Sequence, residues 1–134
     1  MLVLITHGFL ELLVNSVIDA RCKNAKRITD DNRSYPHSVK LILLNEIGEI
    51  EDRMYQLLDA FRKLRNKAAH ESLFTVEAGD MVTYRKRLHD PHDPYELCLS
   101  ILASFWNDHV ELLGPTFAPS LFNHGLQASD PPRP

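Results

Sequence analysis

The segment Leu64–His70, LRNKAAH, holds the residues best suited to chemistry in this chain. Asn66 and His70 are four apart, so they share one face of a helix for as long as the helix lasts. Arg65 falls about 40° from Phe61 at 100° per residue, inside what should be an apolar stripe. A guanidinium does not lose its proton and is costly to bury alone. It must snorkel to water, pair with a carboxylate such as Glu11 or Asp19, or face a polar cleft or a second subunit. An imidazole titrates near neutral pH. Together these groups suit a phosphodiester: Arg65 to hold and neutralise the phosphate, His70 as general acid or base, and Asn66 to orient the substrate or the ring. The scheme needs no metal. Arg62, Lys63 and Lys67 add attraction for a polyanion, giving residues 62–70 a formal charge of +4.

Each of these residues also has a plainer role open to it. His70 could simply cap a helix C-terminus, where a cation complements the dipole, and Lys63 and Lys67 could form a solvated face. Glu11 has one chemical role in prospect, as the carboxylate that pairs Arg65. The stretch His89-Asp90-Pro91-His92-Asp93 holds metal-ligand types, but no second ligand set lies at a diagnostic spacing. The expectation is therefore no metal and no cofactor. Tyr84-Arg85-Lys86-Arg87 reads as an exposed basic turn. Phe105 and Trp106 read as core or dimer-interface residues. The chain has no Gly-rich phosphate loop, no Ser-His-Asp order and no Cys-x-x-Cys.

The elements that position these groups follow from periodicity. A long, nearly uninterrupted helix is expected from about Leu2 to Lys23, with Phe9, Leu10, Leu13, Val14, Val17 and Ile18 at helical steps. His7, Glu11 and Asn15 interrupt the apolar run, and no basic residue precedes it. A buried helix fits it better than a membrane span or a secretion signal. A polar loop, KRITDDNRSYPHS, leads to a second helix over about Val39–Ile47, N-capped by Ser38 and ended by Gly48. A third helix follows, with Met54, Leu57, Leu58, Phe61, Leu64 and Ala68 in one stripe. Glu51 and Asp52 lie at its start and basic residues at its end. Beyond His70 the pattern breaks, and a short helix near Met81–Leu88 is possible. Asp93-Pro94-Tyr95-Glu96 then marks another start, with Asp at the N-cap, Pro first and Glu third. That helix should reach about Leu113, and GPTFAPSLF should form a loop or a single turn. Strand signals are nearly absent, so the fold class is all-α: an up-and-down bundle of four to five helices. Residues 1–125 are expected to form one domain, and 126–134 a disordered tail.

Composition bounds the function. The chain has 134 residues, 44% apolar and 25% charged, which suits one domain with a real core rather than a disordered chain. The net charge of −3 excludes a protein basic on every face. Residues 1–87 carry 14 basic and 12 acidic side chains, whereas residues 88–134 carry one and six. An anion site therefore belongs in the first two-thirds. Two cysteines are too few for a disulfide scaffold, so a reducing cytoplasm is the expected compartment.

An R-N-x-x-x-H sequence late in a helix, after a long apolar helix with an internal acid (Glu11) and a short K-L-I-L-L helix, resembles the HEPN superfamily. Its layout is similar to that of mannitol-operon-repressor-like proteins over about residues 2–71. The resemblance implies a small helical bundle, often a homodimer. Many members are metal-independent endoribonucleases of toxin–antitoxin, abortive-infection or CRISPR systems. In these, the Arg and His meet across the dimer and the RNA 2′-hydroxyl attacks the adjacent phosphate. Arg65, Asn66 and His70 match that motif. Other members act as non-catalytic binding or regulatory modules. The partners implied are a second copy, RNA, and a partner or antitoxin protein. Residues 72–134 match no pattern of the family.

Overall fold

The fold is given by a computed structural model, which describes residues 2–71, 76 and 93–119. Those residues form six helices and no strand: α1 (Leu2–Arg21), α2 (Lys26–Thr29), α3 (His37–Glu46), α4 (Asp52–His70), α5 (Pro94–Asp108) and α6 (Val110–Phe117). The all-α bundle expected from periodicity is what forms. The helix near Met81–Leu88 and the tail at 126–134 lie outside the described residues.

α1 is the central element because it is apolar nearly all round. It packs against α4 and α5 most extensively and touches α2, α3 and α6 as well. By length and composition it could cross a membrane, with a mean hydropathy of 1.5. Here it buries Val3, Leu10, Leu13, Val14, Val17 and Ile18 against the other helices, together with the polar Thr6 and His7. α4 turns Met54, Leu57, Leu58, Phe61 and Leu64 inward, the stripe read from its sequence. Phe61 and Phe105 are wholly buried. Truncating either to Ala would cost about 3–5 kcal/mol in lost transfer energy and cavity.

The α3–α4 connection shows how the sequence stops one helix and starts the next. Gly48 takes φ +80°, the left-handed region open to glycine. Gly48 N–H donates to Asn45 O at 3.1 Å and Glu49 N–H to Leu44 O at 2.9 Å, which is a Schellman closure. Asn45 Nδ2 then donates to Ile50 O and to Asp52 Oδ1, tying the end of α3 to the start of α4. At the other end of the chain, Asp93 accepts from Glu96 N–H at 2.8 Å, and Pro94 opens α5 as the sequence predicts.

Three local expectations are corrected. Ser38 is not an N-cap: α3 begins one residue before it at His37, after Pro36, because the fixed Pro φ already suits a helix entry. The loop over residues 26–38 contains the single turn of α2. The last helix does not run unbroken to Leu113. It ends at Asp108 and restarts at Val110, and residues 114–117 are helical with Pro115 inside.

His109 causes the break. Its ring is buried and stacks on Phe105 at 4.5 Å. Nδ1 lies 3.1 Å from Phe105 O and Nε2 lies 3.0 Å from Glu49 O. Reaching a carbonyl sixty residues away in sequence pulls the backbone out of helical register. Glu49 also receives Arg21 Nε at 2.7 Å, so one turn fastens the end of α1, the α3–α4 link and the α5–α6 joint.

Candidate functional site

α4 stays helical through His70, so Asn66 and His70 do share a face one turn apart. His70 is exposed in the last turn. Arg65 and Asn66 are half-buried, and Arg65 Nη1 donates to Asn66 Oδ1 at 3.3 Å. Among the described residues no carboxylate lies within ion-pair distance of Arg65. Among the described residues its charge is therefore neither paired with a carboxylate nor fully released to bulk water.

The expected Glu11–Arg65 pair does not form. Glu11 Oε1 instead sits 3.2 Å from His7 Nδ1, one helical turn back on α1. Residues four apart on one helix meet at little entropic cost, whereas Arg65 would have to reach from another helix. Asp19 is exposed in the final turn of α1 and makes no ion pair with Arg65.

Two of the flanking cations are partly spoken for. Arg62 donates from Nε and Nη2 to Asp59 Oδ1 at 3.1 and 2.9 Å, and Lys63 Nζ lies 3.4 Å from Asp59 Oδ2. Burial alone would raise the Asp59 carboxyl, but the hydrogen bond and charge of Arg62, helped by Lys63, bring it below the ordinary range. Asp59 thus offsets one of the four charges on this helix end. Lys63 and Lys67 are exposed.

Beside Arg65 lies a polar cluster that spacing alone did not assemble. His7 is 3% exposed and stacks on Phe61 at 6.3 Å. The His37 ring meets it edge-on at 4.6 Å. A cavity of about 300 Å3 opens here, lined by Glu11, Asn15, Asn32, Pro36, His37 and Lys40. Lys40 is 4% exposed and donates from Nζ to Asn32 Oδ1 at 2.9 Å. His7 Nε2, His37 Nδ1 and Asn15 Oδ1 are buried and have no hydrogen-bond partner.

Both imidazoles are held neutral. Desolvation lowers His7 most; Glu11 opposes it, and Arg65 and Arg62 reinforce it. Desolvation also leads for His37, which is pushed down to about 3 with help from His7, Lys40, Arg62 and Arg65. The Arg65 charge is therefore felt by both rings. His7 and Glu11 could be paired from their four-residue spacing in an apolar run. His37 could not, because it sits after Pro36 in a segment without periodicity.

His89–His92 and Tyr84–Arg87 lie outside the described residues, and Asp93 is engaged as a helix cap. Phe105 is core, while Trp106 is half-buried and meets Phe117 edge-on at 6.3 Å. Trp106 and Phe117 border an apolar groove of about 490 Å3 with Phe9, Leu13, Leu99 and Leu102. Comparison with protein-family models, curated proteins and solved structures finds no match to this chain.

Proposed function

We propose that this chain is a HEPN-like helical domain that binds RNA at the end of α4 and, as a homodimer, cleaves it without a metal. The observation that carries the reading is Arg65: a half-buried guanidinium, steadied by Asn66, with no carboxylate partner among the described residues and an exposed imidazole one turn on. Such a group is ready for an anion, and a phosphate oxygen fits it in two-pronged fashion. His70 takes the proton from the ribose 2′-hydroxyl as that oxygen attacks the adjacent phosphorus. Arg65 offsets the charge that builds on the phosphoryl oxygens, and Asn66 keeps the guanidinium aimed. The 5′-oxygen leaves with a proton from the second copy, which is why a dimer is required. Exposed Ile5, Phe9 and Leu12 on α1 and Leu99 on α5 supply an apolar face for that second copy. Free Cys22 and Cys98 suit the cytoplasm.

A non-catalytic regulatory or interaction module is the second reading, favoured by Asp59, which already holds Arg62 and Lys63. Arg65→Ala separates the two. Under the RNA reading the variant keeps its melting temperature, binds single-stranded RNA about tenfold more weakly, and its plot of log affinity against log salt becomes shallower by about 0.7. Wild-type protein that does not bind RNA, or a variant that binds equally well, overturns it. A lower melting temperature or a dissociated dimer with RNA affinity intact supports the module.

A further inference from the structure

We propose that His7, Glu11 and His37 form a binding site for a divalent transition metal, Zn2+ above all, where α1 meets the start of α3. One nitrogen from each imidazole and one Glu11 oxygen all lie within 4.8 Å of one another. Ligand atoms around a tetrahedral zinc sit roughly 3.3 Å apart, given bonds of about 2.0–2.1 Å. Small side-chain rotations close the difference while both helices stay in place.

Three observations point to an ion rather than to three chance neighbours. His7 and Glu11 are one turn apart on α1, the spacing by which a helix presents two ligands to one ion. The buried nitrogen His37 Nδ1 has no partner, a costly state that a metal bond removes, and the Glu11-facing His7 Nδ1 would meet the same ion. Asn15, a further turn along α1 from Glu11, also has a buried oxygen without a partner, placed to accept a hydrogen bond from a metal-bound water. Two histidines and a carboxylate leave a fourth position for such a water, and Glu11 and His37 border a cavity of about 300 Å3 that would hold it.

The opposing charges are Lys40, Arg62 and Arg65. Arg62 is neutralised by Asp59, so Lys40 and Arg65 set the electrostatic penalty. The nitrogen-rich ligand set favours Zn2+ over Mg2+ or Ca2+, which prefer oxygen ligands. The proposal is independent of RNA binding, which is assayed in EDTA.

The test is a Zn2+ titration of the full chain, stripped with EDTA and dialysed, in competition with a chromophoric chelator. The expected result is one saturable equivalent, weakened tenfold or more in both His37→Ala and Glu11→Gln, each with an unchanged far-ultraviolet spectrum and cooperative melting. Substituted Co2+ should give visible ligand-field bands that disappear in the same variants. Glu11→Gln keeps the side-chain shape, so a folding defect in His37→Ala would not mask the result. Wild-type protein without a saturable equivalent, or one held equally tightly by both variants, overturns the site.

Discussion

His70→Ala should cleave single-stranded RNA about 10²–10⁴-fold more slowly than the wild type in EDTA, with the melting temperature unchanged. The size of the loss is what a positioned general acid–base group contributes, equivalent to about 2.7–5.5 kcal/mol of barrier. The structural cost should be small, because His70 is exposed in the last turn of α4. The helix end does not depend on it: Glu71 N–H closes the turn on Lys67 O at 3.1 Å. Asn66→Ala should do less damage, because it loosens the aim of Arg65 without removing its charge. Gel analysis of a labelled oligonucleotide, read alongside thermal melts, measures both. Cleavage by His70→Ala at the wild-type rate would remove His70 from the chemistry.

Acidification should destabilise the metal-free protein well before its carboxylates titrate. His37 is held at about 3 in the fold against an ordinary 6.5, by desolvation first and then by His7, Lys40, Arg62 and Arg65. Above pH 6.5 the ring is neutral folded or unfolded, and no stability is lost. Below it the unfolded chain takes up a proton that the fold refuses. Stability therefore falls by about 1.4 kcal/mol per pH unit per fully titrating group until the folded pKa is reached. At pH 5 this is on the order of 2 kcal/mol for His37, and His7 adds a loss of the same sign. Asp31 and Asp59 do not contribute in this window: both are held below 3.8, so their stabilisation is lost only at lower pH. Urea unfolding in EDTA at pH 7 and pH 5 should show the drop, and His37→Gln should flatten it. Equal stability at the two values for the wild type would mean that neither ring is buried as a neutral group.

Much of the scaffold is legible in the sequence because it rests on local rules. The α4 stripe needs only the helical period, the Asp93 cap needs four adjacent residues, and the Gly48 stop needs one residue that tolerates positive φ. Features that depend on distant partners are not. Val110–Leu113 continues the apolar pattern of α5, yet the helix breaks at His109, whose ring reaches the Glu49 carbonyl sixty residues away. The site divides in the same way. Arg65, Asn66 and His70 stand out because a cation interrupts a greasy stripe close to an imidazole. The His7–Glu11 pair is visible as a helical step, but its meaning depends on His37, which α3 brings from another part of the chain. The same neighbour effect misdirects the ion-pair expectation: Glu11 has a closer partner on its own helix than Arg65. Asp59, three residues before Arg62 and four before Lys63, is by the same helical spacing the counter-ion for two of the four cations between residues 62 and 70.

On the RNA reading, the Arg65 guanidinium, which has no carboxylate partner among the described residues, should meet RNA phosphate at the end of α4. Nuclear magnetic resonance of the isotope-labelled full chain, titrated in EDTA with a short single-stranded RNA, examines that contact directly. The expected result is that the Arg65 Nε–H signal and the backbone amides of Asn66 to His70 shift most, saturate together, and return toward their free positions as salt is raised. Signals at these positions that stay fixed while RNA binds elsewhere, or while no binding occurs, would contradict it.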